Sequence, residues 1–90
     1  MDRRQMIADI NPDAHLWDDL DDCIIGITEE GCAVYDIHKM EVELMKQNDW
    51  DWETAAEFVE FNILRAYIGE FTPTHVWTIP EEKGFEKKTI

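Results

Sequence analysis

The sequence predicts a small α+β domain of order β-β-α-α-β, a three-stranded sheet packed in two layers on two antiparallel helices. Three observations predict it. Residues 23–35 hold two short β-branched runs around a Glu-Glu-Gly turn. Residues 37–68 carry apolar positions at 3.6-residue spacing, interrupted once. Residues 74–79 alternate again. Residues 3–9 supply a further short helix in front, before Asn11-Pro12.

The first strand is Cys23-Ile24-Ile25-Gly26-Ile27-Thr28, and Cys32-Ala33-Val34-Tyr35 returns as the second. Glu29-Glu30-Gly31 makes a three-residue hairpin loop in which Gly31 takes positive φ. That loop sets Thr28 opposite Cys32, so Cys23 and Cys32 lie far apart along the hairpin. No disulfide is expected between them. Asp36 is suited to cap a helix carrying Ile37, Met40 and Leu44, which runs to about Asn48. Asp49-Trp50-Asp51 breaks it. Asp51 caps a second helix over residues 52–68, with Gly69 in the left-handed position that follows. Thr72-Pro73 stops the helix, and Thr74-His75-Val76-Trp77-Thr78-Ile79 forms the third strand. The expected core is Ile25, Ile27, Val34, Met40, Leu44, Val59, Ile63, Ala66 and Tyr67.

Charge divides the chain. Twenty-one Asp and Glu face eight Lys and Arg, a net charge of −13, yet 44% of residues are hydrophobic and 11% aromatic. Disordered acidic tails lack that apolar content, so the chain reads as an acidic folded domain. Residues 1–22 form an acidic segment with seven acids and two arginines, residues 23–79 the α+β core domain, and residues 80–90 a charge-balanced, mobile tail. Met1-Asp2-Arg3-Arg4-Gln5 opens no apolar run, and no 18-residue apolar stretch follows. A cytoplasmic protein with reduced thiols and no membrane association is expected.

Stepping 100° per residue puts Trp52, Ala55, Ala56, Val59, Asn62, Ile63, Ala66 and Tyr67 on one face of the second helix. Asn62 in that face calls for a backbone partner, because an unpaired buried amide costs about 1–3 kcal/mol. Phe61, Leu64 and Ile68 make a second apolar stripe opposite, flanked by Glu53, Glu57 and Glu60 and by Arg65. Either Leu16, Trp17 and Leu20 fold over this stripe, or it is a partner or dimer surface extended by Phe71.

The run from Glu57 to Pro73 resembles a pattern in small phage and prophage proteins of unknown function, E-[YF]-x-x-F-N-x-x-x-A-Y-x-G-x-x-T-P. It matches at Glu57-Phe58, Phe61-Asn62, Ala66-Tyr67, Gly69 and Thr72-Pro73. Val34-Tyr35-Asp36, Lys39 and Leu44-Met45 resemble the block upstream, so the resemblance spans residues 33–77. It implies a phage origin and a shared fold, and no activity.

No catalytic constellation stands out. His15, His38 and His75 are scattered, and neither cysteine has zinc-ligand spacing. Asp18-Asp19-Leu20-Asp21-Asp22 lacks the glycine and distal Glu of a calcium loop. No metal, cofactor or enzymatic activity is expected. Direct nucleic-acid binding is excluded by charge, since phosphate contacts require Lys and Arg. The expected partner is a basic, nucleic-acid-binding host protein, met by carboxylates standing where phosphates would stand. Asp18, Asp19, Asp21, Asp22, Glu29 and Glu30 form one candidate patch, and Glu53, Glu57 and Glu60 another. The resulting expectation is an inhibitor of a host nucleic-acid enzyme or defence complex. The alternative is a non-inhibitory assembly protein, homodimeric through the apolar helix face of Phe61, Leu64, Ile68 and Phe71.

Overall fold

A computed structural model describes residues 2–80. It is an α+β domain whose sheet is mixed. Helix α1 spans Arg3–Ile10 and is capped by the Asp2 carboxylate, which accepts from the Gln5 N–H at 2.7 Å. A 3-10 turn at Asp21–Cys23 leads into strand β1, Ile24–Ile27, and β2 follows at Ala33–Asp36. Helix α2 is Ile37–Asn48, helix α3 is Trp52–Phe58, and a π-helical segment Val59–Leu64 extends α3. Strand β3 is Thr74–Val76. The sheet order is β1-β2-β3, with β1 antiparallel and β3 parallel to β2. The register pairs Ile24 with Tyr35 and Asp36 with Val76, so the start of β1 and the ends of β2 and β3 share one end of the sheet.

The local signals act where expected. Thr28 N–H donates to the Cys32 carbonyl at 2.8 Å, closing the hairpin, and Gly31 has φ 97°. Asp36 accepts from the Lys39 N–H at 3.0 Å and Asp51 from the Thr54 N–H at 2.9 Å, each fixing a helix start. A Cβ at Gly31 would lie 2.8 Å from Asn11 Nδ2, whose amide donates to the Gly31 carbonyl at 3.0 Å. Gly31→Ala should therefore cost about 1–3 kcal/mol in denaturant unfolding, through backbone strain and displacement of Asn11.

Five expectations change. The second helix ends at Leu64, not Ile68, and its last turns, Val59–Leu64, are π-helical. Widening the turn rotates the residues that follow. The buried stripe becomes Ala55, Val59 and Ile63, and Asn62 swings out to solvent. Its amide donates to the Phe58 carbonyl at 3.2 Å instead of tying down a buried loop. Tyr67 lies past the helix end and is 79% exposed, and Ala66 is half-buried, so neither is core. Ile25 is exposed because a bulge between Ile24 and Gly26 inverts the alternation and sends Ile24 inward. Strand β3 stops at Val76 because its partner β2 ends at Asp36; the Thr78 hydroxyl then donates to the Asp36 carboxylate at 2.8 Å. Burial alone would raise the Asp36 pKa, but the Lys39 N–H and the Thr78 hydroxyl outweigh it and hold the group below its ordinary value.

The core comprises Ile7, Leu20, Cys23, Ile24, Ala33, Tyr35, Ile37, Met40, Leu44, Ala55, Val59 and Ile63. The expected Met40, Leu44, Val59 and Ile63 are buried there, while Ile27 and Val34 are half-buried. The acidic segment expected at residues 1–22 contributes Ile7 and Leu20, with Leu16 and Trp17 packed against the cluster. The tail expected at 80–90 lies, beyond Pro80, outside the described residues. Among the described residues no helix is long and apolar enough to cross a membrane.

Cys23 and Cys32 are both buried and free. Burial pushes the Cys23 thiol up to about 11, so it is protonated and unreactive at neutral pH. Thiol titration of the denatured protein, purified without reductant, should find two free thiols.

Candidate acidic interface

The acidic run at 18–22 is folded into a fixed shape by two arginines and a glutamine. Arg4, on α1, donates from Nε to both Asp21 carboxylate oxygens at 2.9 and 3.0 Å. Its Nη2 donates to the Trp17 carbonyl at 3.0 Å. The Asp21 hydrogen bond raises the Arg4 pKa, keeping the pair charged. Arg3 donates to the Asp22 carbonyl. From α2, Gln47 Nε2 donates to the Asp19 carbonyl at 2.7 Å, where Asp19 itself adopts the left-handed conformation with φ 61°.

These contacts leave an open cleft of about 620 Å³ lined by Arg4, Asp18, Asp19, Asp21, Asp22 and Glu43. The carboxylates in it are not equivalent. Asp21 is committed to Arg4. The Asp18 and Asp22 side chains are 97% and 95% exposed, each 3.9 Å from a guanidinium nitrogen. Glu43 comes from the middle of α2 and accepts from the Gln47 amide at 3.3 Å. Among the described residues no three His, Cys, Asp or Glu side chains converge as metal ligands.

The other predicted acids lie elsewhere. Glu29 and Glu30 occupy the hairpin turn, at the far end of β1 from Asp22, and Glu53, Glu57 and Glu60 are exposed along α3 and its π extension. Neither group lines the cleft. Arg4, Glu43 and Gln47, which shape it, carry no sequence signal pointing to 18–22 beyond the Glu43 and Gln47 spacing of four on one helix face.

The apolar stripe is not a single face. Phe61 is 57% exposed, with the Arg65 guanidinium 4.7 Å from its ring centroid. Leu64 packs against the core, Ile68 is exposed beyond the helix, and Phe71 is half-buried with its carbonyl accepting from the His15 N–H at 3.2 Å. Of the two alternatives for this stripe, cover by Leu16, Trp17 and Leu20 does not reach Phe61 and Ile68, which stay exposed; Trp17 and Leu20 line a cleft with Leu44, Trp50, Phe58 and Ile63. Trp50 and Phe58 pair there at 5.4 Å between ring centroids.

Remaining polar groups are used internally. Glu41, buried on α2, accepts from the Trp52 indole N–H at 3.1 Å and lies 3.5 Å from His38 Nδ1. The hydroxyl of fully buried Tyr35 accepts from the Trp17 N–H at 2.8 Å. Among the described residues no buried side-chain nitrogen or oxygen lacks a partner. No known protein family, curated protein or solved structure matches the chain.

Proposed function

We propose that this chain is a phage-encoded protein-binding module that catalyses nothing. Its acidic cleft occupies the basic groove of a host nucleic-acid enzyme or defence complex in the host cytoplasm, and so inhibits it. One observation carries the reading: Arg4 and Gln47 fix the backbone of the acidic loop through the Trp17 and Asp19 carbonyls, leaving the Asp18 and Asp22 carboxylates free to solvent around one open cleft shared with Asp19 and Glu43. A loop whose backbone is already fixed loses little freedom on meeting a basic surface. The net charge of −13 adds a long-range field that steers such a partner in. The phage-like pattern at 57–73 supports the origin.

A second reading has its own support. Phe61, Ile68 and Trp52 are all exposed, which favours an apolar contact with a second copy. Capture from bacterial lysate on the immobilised full chain, washed at low and at high salt, separates the two. A basic nucleic-acid-binding protein that elutes with salt supports the first. A salt-insensitive dimer in sedimentation, with no such protein captured, replaces it with the second.

A further inference from the structure

One side-chain hydrogen bond ties residues 58 positions apart in the chain. Trp17 Nε1 lies 2.9 Å from His75 Nε2, and the two rings are nearly parallel, with centroids 5.9 Å apart and planes 17° from each other. An indole N–H can only donate. His75 Nε2 must therefore offer its lone pair, which makes the ring a neutral imidazole with its proton on Nδ1. A second proton would go to Nε2 and set donor against donor.

We propose that His75 is a proton-operated latch on Trp17: neutral, it holds the indole against β3; protonated, it releases it. The released group matters because Trp17 is one wall of the cleft that also holds Asp18, Asp19, Leu20, Trp50 and Phe58. Freeing the indole opens that cleft next to the acidic loop. The segment itself stays in place, because the Trp17 N–H still donates to the Tyr35 hydroxyl and the Trp17 carbonyl still accepts from Arg4. The device is thus a side-chain gate on an anchored backbone.

Burial, not a neighbouring charge, favours the neutral ring. Tyr35, on β2, presents its ring 6.3 Å from that of His75. Arg4, on α1, brings a positive charge to the Trp17 carbonyl, with Asp21 and Asp18 as its acidic neighbours. His15 lies two residues before Trp17, exposed. Among the described residues no carboxylate pairs with His75. Burial lowers its pKa from the ordinary imidazole value. A His with a depressed folded value binds its proton more readily when unfolded. The bond is therefore complete above the unfolded pKa and is lost as pH falls through the folded one.

Nitrogen-correlated proton spectra of the full chain, recorded between about pH 8 and about pH 5, test this. The Trp17 indole N–H should shift with the same midpoint as the His75 ring, and the indole signals of Trp50, Trp52 and Trp77 should not follow it. In His75→Gln the side-chain amide oxygen accepts at every pH, so the Trp17 indole signal should stay fixed across the range. The latch is overturned if His75 titrates in the wild type while the Trp17 indole does not move. It is equally overturned if the indole still titrates in His75→Gln. The wild-type titration decides the matter alone should that variant fail to fold.

Discussion

Met40→Ala should remove about 2–5 kcal/mol of stability, a large share of the roughly 5–15 kcal/mol available to a domain of this kind. Met40 is fully buried on α2, in the same cluster as Tyr35, Ile37, Leu44, Val59 and Ile63. It sits where the helix layer meets the sheet, so truncation leaves a void bordered by elements that cannot collapse independently. Phe61→Ala is the control. Its ring is 57% exposed and its clearest contact is the Arg65 guanidinium, so the loss should be about 0.5–1 kcal/mol. Denaturant unfolding of both variants measures the contrast, and equal losses would mean that Phe61 is packed in a way this fold does not allow.

Reversing Asp18 and Asp22 to Lys should slow capture of a basic partner by about tenfold or more at low salt, with the difference shrinking as salt rises. These two positions isolate charge from folding. Both side chains are almost wholly exposed, and each makes only a 3.9 Å ion-pair approach to a guanidinium nitrogen. Asp21 is left alone because it fixes Arg4, and Asp19 because a bulkier residue at φ 61° would add strain. Association rates by stopped flow, with unfolding curves to confirm an intact domain, read the effect. Unchanged association at low salt would remove the acidic cleft from the recognition surface and leave the apolar contact.

Features governed by neighbours in sequence were readable from it. Asp36 and Asp51 cap helices because their carboxylates reach N–H groups three residues on, and Gly31 turns the hairpin because only glycine takes φ 97° cheaply. Features set by distant partners were not. The bulge at Ile25 reverses an alternation that otherwise points it inward. The π-helical turns displace Asn62 and Tyr67 from a face that ideal 3.6-residue geometry assigns them. Ile7 and Leu20 enter the core with a segment fastened by polar contacts, Arg4 to Asp21 and Tyr35 to Trp17, which leave no periodic trace. The acidic run was visible as a string. That one of its carboxylates is consumed by Arg4, and that Glu43 joins the others from α2, depends on tertiary placement alone.

The parallel pairing of β3 with β2 has a consequence for how the chain comes together during synthesis. The hairpin and α2 form from contacts among residues close in sequence, and can appear early as the chain grows. Strand β3 must cross back over α3 and its π extension to reach Val34, Tyr35 and Asp36. Until Thr74–Val76 is available, the β2 edge lies open and Trp17 has no His75 to hold it. Closing such a long loop is entropically slow. A nascent chain stopped before residue 74 would present an unpaired strand edge beside apolar side chains, which is the condition for pairing with another chain. The high negative charge carried by the segments made before that point offers protection in this interval, because like-charged nascent chains repel one another while the last strand is still missing.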